Sequence, residues 1–163
     1  MFSINSISKK LSLHKHKSFD EYIEGIKSKC KELEEELGEF SLENYQYSYE
    51  EAKEELGLDS ELIDSLLDDY VKQILNTTPK FRYIIKKLQH DAKSGEKIDF
   101  TQFRDLTHKN LGVARNLRIK DAQKILSQMM KSDNLNTILK YISLLEMCAV
   151  LLKPKIAYEI YTS

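Results

Sequence analysis

Residues 60–76 read Ser-Glu-Leu-Ile-Asp-Ser-Leu-Leu-Asp-Asp-Tyr-Val-Lys-Gln-Ile-Leu-Asn, and their periodicity decides the fold class. Leu62, Ile63, Leu66, Leu67, Tyr70, Val71, Ile74 and Leu75 recur at steps of three and four. That spacing gathers side chains on one broad face of an α-helix. Asp59 or Ser60 supplies the N-cap, where a short side-chain oxygen accepts an amide the first turn leaves unpaired. A face this wide must be covered by other helices.

The flanking sequence supplies them. Upstream, Ser48 and Glu51 stand at capping-box spacing and lead a short helix ending at Leu56-Gly57. Ser18 and Glu21 repeat the device before a narrow, near-heptad seam of Phe19, Ile23, Ile26, Cys30, Leu33 and Leu37, closed by Gly38. This helix is expected to pack on its own chain: the acidic residues 32–36 would repel a parallel twin, and the basic rear half would attract them. Residues 1–17 form a basic arm without sustained period, and residues 39–47 a connector. Downstream, Thr78-Pro79 reads as a cap followed by proline at the first helical position. Phe81, Ile84, Ile85 and Leu88 face the core of that helix, which ends at Gly95. Further helices span roughly Asp99–Leu117, Lys120–Lys131 and Leu135–Leu152, the last stopped by Pro154. The expectation is all-α: an antiparallel helical bundle over residues 46–163, preceded by an arm and an additional amphipathic helix over residues 1–45.

Composition agrees. Among 163 residues, 41% are apolar and 31% charged, which excludes a disordered chain. No uncharged apolar run reaches the ~18 residues of a membrane span. The nearest, Tyr141–Leu152, is interrupted by Glu146 and reads as a buried core helix. Two cysteines and no signal peptide imply a cytoplasmic, thiol-reduced chain. Net charge is −1, yet residues 18–69 carry −14 and residues 70–163 carry +9, so the rear half offers a basic docking surface.

The chemistry centres on the fifth predicted helix. Phe103, Leu106, Asn110, Val113 and Leu117 form its core stripe, and His108 lies ~140–180° from all of them at ~100° per residue. His108 should therefore face water, with Arg104, Gly112 and Arg115 on its face and Leu111 bordering it. A glycine inside a helix costs ~1 kcal/mol relative to alanine. At a solvent-facing position its use is to admit another molecule close to the histidine.

The stretch His108-Lys109-Asn110-Leu111-Gly112-Val113-Ala114-Arg115-Asn116-Leu117-Arg118 resembles the motif of the histidine-phosphotransfer (HPt) domain family. That motif has a histidine, a glycine four residues on, a small residue two further, then Asn-Leu and often Gly. His108, Gly112, Ala114, Asn116 and Leu117 match in place, and Glu55-Leu56-Gly57-Leu58-Asp59 resembles how such domains begin. The resemblance covers about residues 46–155. Two positions depart: Leu111 stands where the family commonly has lysine, and Arg118 where the late glycine is common.

The resemblance implies an antiparallel four-helix-bundle HPt domain in a cytoplasmic, bacterial-type two-component phosphorelay. His108 would accept a phosphoryl group from the aspartate of one receiver domain and pass it to another. Arg104, Lys109, Leu111, Gly112 and Arg115 would dock the partner or steady the phosphate. The partners would be response-regulator receiver domains and a hybrid histidine kinase, and the receiver would bring Mg²⁺, so no cofactor or metal of the chain's own is needed. Phosphoryl transfer asks mainly for positioning and charge stabilisation of a loose, in-line transition state. No Gly-rich phosphate loop points to autonomous ATP-dependent kinase activity. Two alternatives stay open: a non-catalytic helical adaptor that docks receivers, and a module of a larger histidine kinase.

Other patterns are weaker. His14-Lys15-His16 lacks further metal ligands. The lysines of the arm lack the aromatic interleaving or groove-reading motif of a nucleic-acid binder. Oligomeric state is not encoded legibly, though a monomer follows from packing the first helix on its own chain.

Overall fold

The computed structural model describes residues 16–38 and 46–163. Most of the basic arm, with His14, and most of the connector lie outside these residues. The described residues are all-helical, with seven helices. These are α1 (Phe19–Leu37), α2 (Tyr49–Leu56), α3 (Ser60–Lys93), α4 (Thr101–Asn116), α5 (Lys120–Lys131), α6 (Leu135–Leu152) and α7 (Pro154–Thr162).

The expected caps of α1, α2 and α3 are present. Ser18, Ser48 and Asp59 accept amide hydrogens from Glu21, Glu51 and Leu62, and Gly38 and Gly57 close α1 and α2 in the left-handed conformation at φ 67° and 65°. Two boundaries differ from expectation. Thr78-Pro79 starts no helix: α3 runs unbroken for 34 residues with Pro79 inside it. An interior proline removes one backbone hydrogen bond and costs ~3 kcal/mol or more. Burial outweighs that cost, because Phe81, Ile84, Ile85 and Leu88 continue the buried face begun by Ile63, Leu67, Val71 and Ile74. Thr77, buried beside the proline, satisfies its hydroxyl by donating to the Gln73 carbonyl at 2.7 Å. The second difference is α7. Pro154 ends α6 and also begins a further helix, since proline at the first helical position forfeits an amide that would have been unpaired anyway.

Helix α6 is the centre. It packs against α3, α1, α5 and α7, while α4 rests on α5 and α3, and α2 on α3. Ile138, Ile142, Leu144 and Leu145 are fully buried. Among the described residues α6 is the one helix apolar and long enough to cross a membrane, and half of it is buried by its neighbours. Glu146, the acid within its run, pairs with Arg82 of α3 at 2.5 Å. Lys153, at the α6–α7 corner, ion-pairs with Asp64 and Asp68 of α3, and Tyr49 of α2 donates to Asp64 at 2.9 Å.

Helix α1 packs on its own chain, against α6 and α7. Ile23 and Cys30 are buried, Glu36 pairs with Lys140 at 3.2 Å, and Tyr22 stacks on Tyr161 with ring centroids 4.5 Å apart.

A continuous α3 makes Pro79→Ala a stabilising change. The variant regains an amide for the Leu75 carbonyl and should gain about 1–3 kcal/mol in urea denaturation. Loss of stability would indicate that the proline starts a separate helix.

Candidate functional site: the exposed face of α4

Asp99 lies two residues before the first residue of the helix. It accepts from the Thr101 amide at 3.0 Å and the Thr101 hydroxyl at 2.6 Å, and these bonds hold its carboxyl below the usual carboxylate range. The helix then buries Phe103, Thr107, Asn110, Leu111 and Ala114. The expected stripe of Phe103, Leu106, Asn110, Val113 and Leu117 is thus rotated by about 60°. Leu106, Val113 and Leu117 are only half-buried. The cause is steric and polar together. Thr107 and Ala114 are small enough to lie against neighbouring helices, and the polar groups are satisfied within α4 itself. The Thr107 hydroxyl donates to the Phe103 carbonyl at 2.7 Å, and the Asn110 amide to the Leu106 carbonyl at 2.8 Å.

The rotation leaves His108 exposed, as expected, but corrects one of its neighbours. Leu111 is 5% exposed and belongs to the core, so its side chain offers no contact on the histidine's face. Arg104 shares the flank of His108 but is engaged elsewhere. Its guanidinium pairs with Asp133 at 3.0 Å and lies 4.9 Å from the centre of the Phe100 ring. Lys109 and Arg115 are exposed, and neither side chain makes an ion pair among the described residues. Asp105, one turn before His108, is also exposed and sets a carboxylate on the same surface, at a position that no apolar period or motif marks in the sequence. At Gly112 a Cβ would meet nothing within 4 Å beyond the helix's own turn, so packing does not require a glycine there.

The helix ends in a Schellman motif. The Ile119 amide donates to the Ala114 carbonyl at 2.9 Å and the Arg118 amide to the Arg115 carbonyl at 3.1 Å. Arg118 occupies the left-handed position of this motif at φ 61°, the described residues' one positive φ outside glycine. Its side chain offsets the strain by pairing with Glu55 of α2 and donating to the Arg115 carbonyl at 2.6 Å.

Comparison with protein-family models, curated proteins and solved structures finds no match. The chemistry of the site therefore rests on the geometry above. An exposed imidazole stands on a well-packed helix, with open space one turn away and two unengaged cations nearby. Of the other histidines, His90 is exposed and His16 lies edge-on to Tyr161 at 5.1 Å. Among the described residues no three or more His, Cys, Asp or Glu side chains converge to hold a metal.

A second polar cluster, unforeseen from sequence, lies on the far side of α5. Asp121 is buried in the first turn of α5, its carboxylate accepting from the Ala122 amide at 2.6 Å with the Cys148 thiol beside it. Burial raises its carboxyl to about 6. The groups facing it are Cys148 and, beyond that thiol, Cys30 and Glu34 of α1.

Two expectations follow. Gly112→Ala should stabilise the protein by about 1 kcal/mol, measured by urea denaturation, because the added methyl gains helix propensity without a clash. For Asp121, the folded state holds its proton more tightly than the unfolded chain. Its contribution is therefore lost as pH rises from the unfolded value toward about 6. Above that, ionised Asp121 costs about 3 kcal/mol at ~1.4 kcal/mol per pH unit. Asp121→Asn avoids this cost but loses one acceptor, so it should stabilise by about 1–2 kcal/mol at pH 8. The gain should vanish toward pH 4 in parallel denaturation series.

Proposed function

We propose that this protein is a histidine-phosphotransfer protein of a cytoplasmic phosphorelay, accepting a phosphoryl group on His108 from one receiver domain and passing it to another. The observation that carries this reading is the exposed His108 one helical turn before Gly112, where a Cβ would meet no neighbour. A receiver's phosphoaspartate needs such an unobstructed approach, and no packing reason for the glycine competes with it.

Three further features support it. The contacts α3–α4, α4–α5, α5–α6 and α6–α3 close a ring, the neighbour order of a four-helix bundle, with α1 added against α6. Position 118, where the family commonly has glycine, adopts the left-handed backbone that glycine adopts freely. Lys109 and Arg115 can offer charge to phosphoryl oxygens without breaking ion pairs, whereas Arg104 must first leave Asp133. The chain would supply the nucleophilic imidazole, and the receiver its aspartate and Mg²⁺.

The burial of Leu111 favours a second reading. The family's lysine at that place is absent, and its position is turned into the core, which fits an adaptor that docks receivers without accepting phosphate.

The test is incubation with a panel of receiver domains charged by acetyl phosphate. Acid-labile phosphate should appear on the wild-type chain and be absent from His108→Gln, with stability changed by no more than ~0.5 kcal/mol. Gly112→Gln should slow transfer while keeping the fold. Receivers that bind the chain but leave it unphosphorylated would favour the adaptor.

A further inference from the structure

Cys30 of α1 and Cys148 of α6 are both buried on helices that pack against each other, and both border the same cavity. The two thiols are close enough to act on one another, and carboxylates flank them: Glu34 lies 3.7 Å from the Cys30 sulfur, and Asp121 stands by the Cys148 thiol. Both cysteines line a cavity of about 910 Å³ between α1, α6 and the Tyr47–Tyr49 segment, with Lys27 and Lys31 on its wall. Paired thiols brought together from distant parts of the chain, beside space for a small oxidant, have the makings of a cystine.

We infer that Cys30 and Cys148 are an oxidisable pair that closes into an intramolecular disulfide and fastens α1 covalently to α6. With hydrogen peroxide as oxidant, Glu34 takes the Cys30 proton and the thiolate attacks one peroxide oxygen. The O–O bond breaks, and the departing hydroxide takes up that proton to leave as water. The Cys148 sulfur then attacks the resulting sulfenic acid, its own proton leaving with the displaced hydroxide as a second water. Two thiols are oxidised by two electrons, and one peroxide is reduced to two waters. Contact with Cys30, burial and the nearby acids all raise the Cys148 thiol well above its usual range. Cys148 is therefore the resolving partner and not the first nucleophile. A buried tether between distant segments stabilises by restricting the unfolded chain. This inference is independent of the role of His108.

Treatment of the full-length chain with hydrogen peroxide at pH 8, then unfolding, alkylation and intact-mass measurement, tests it. The expected product is an unalkylated monomer lighter by about 2 Da. Its Cys30 and Cys148 peptides should be linked, its Tm raised by roughly 5–10 °C, and both changes reversed by dithiothreitol. Cys148→Ser should not lose the 2 Da. Two alkylated thiols, oxygen additions without linkage, or a disulfide joining two chains would each overturn it. The wild-type mass decides the matter even if the serine variant does not fold.

Discussion

Helix α6 has to be covered on nearly all sides, and the rest of the structure is arranged to do so. In its second half Leu144, Leu145, Met147, Cys148, Ala149 and Val150 are all buried, which no single neighbour can accomplish. Each large apolar side chain withdrawn from water contributes roughly 1.5–3 kcal/mol. The need therefore recruits α3, α5, α1 and α7 together. It also explains why α3 tolerates an interior proline: a break there would uncover part of α6. The same demand gives the two charges of this region their partners, Arg82 for Glu146 and Asp64 with Asp68 for Lys153.

Helix α4 is released from that duty. It rests on α5 and α3, one layer from α6, and needs only a narrow line of contact. Its buried face uses a threonine, an asparagine and an alanine, with the polar groups bonded to carbonyls one turn back. The remainder of its circumference is open, and His108, Lys109, Arg115 and Asp105 stand on it. A rigid helix with an exposed, little-committed face is a suitable platform for a transferable group, because packing fixes the backbone while the side chains stay available.

Local chemistry made most helix ends legible. Ser18, Ser48, Asp59, Gly38 and Gly57 act through their own short-range geometry, so their roles can be read without knowing the fold. The exposure of His108 was legible too, because every rotation of α4 that buries Phe103 and Asn110 turns the histidine outward. Proline was ambiguous. Pro79 and Pro154 offer the same local signal, yet one lies within a helix and the other ends and begins one. The choice depends on whether the apolar face continues across the proline and finds cover, which is a tertiary quantity.

By itself, then, the sequence determined that the chain is helical, where most of its caps fall, and that one histidine faces water one turn from a glycine. Those properties follow from periodicity and from side chains acting on their own backbone. Only the tertiary structure decided the rotation of α4 that draws Leu111 into the core, the engagement of Arg104 by Asp133, the left-handed turn at Arg118, and the meeting of Cys30 with Cys148 beside Asp121. Each joins residues far apart in the chain, or weighs one packing face against another, and hydrophobic pattern alone does not rank faces that differ by about 60°.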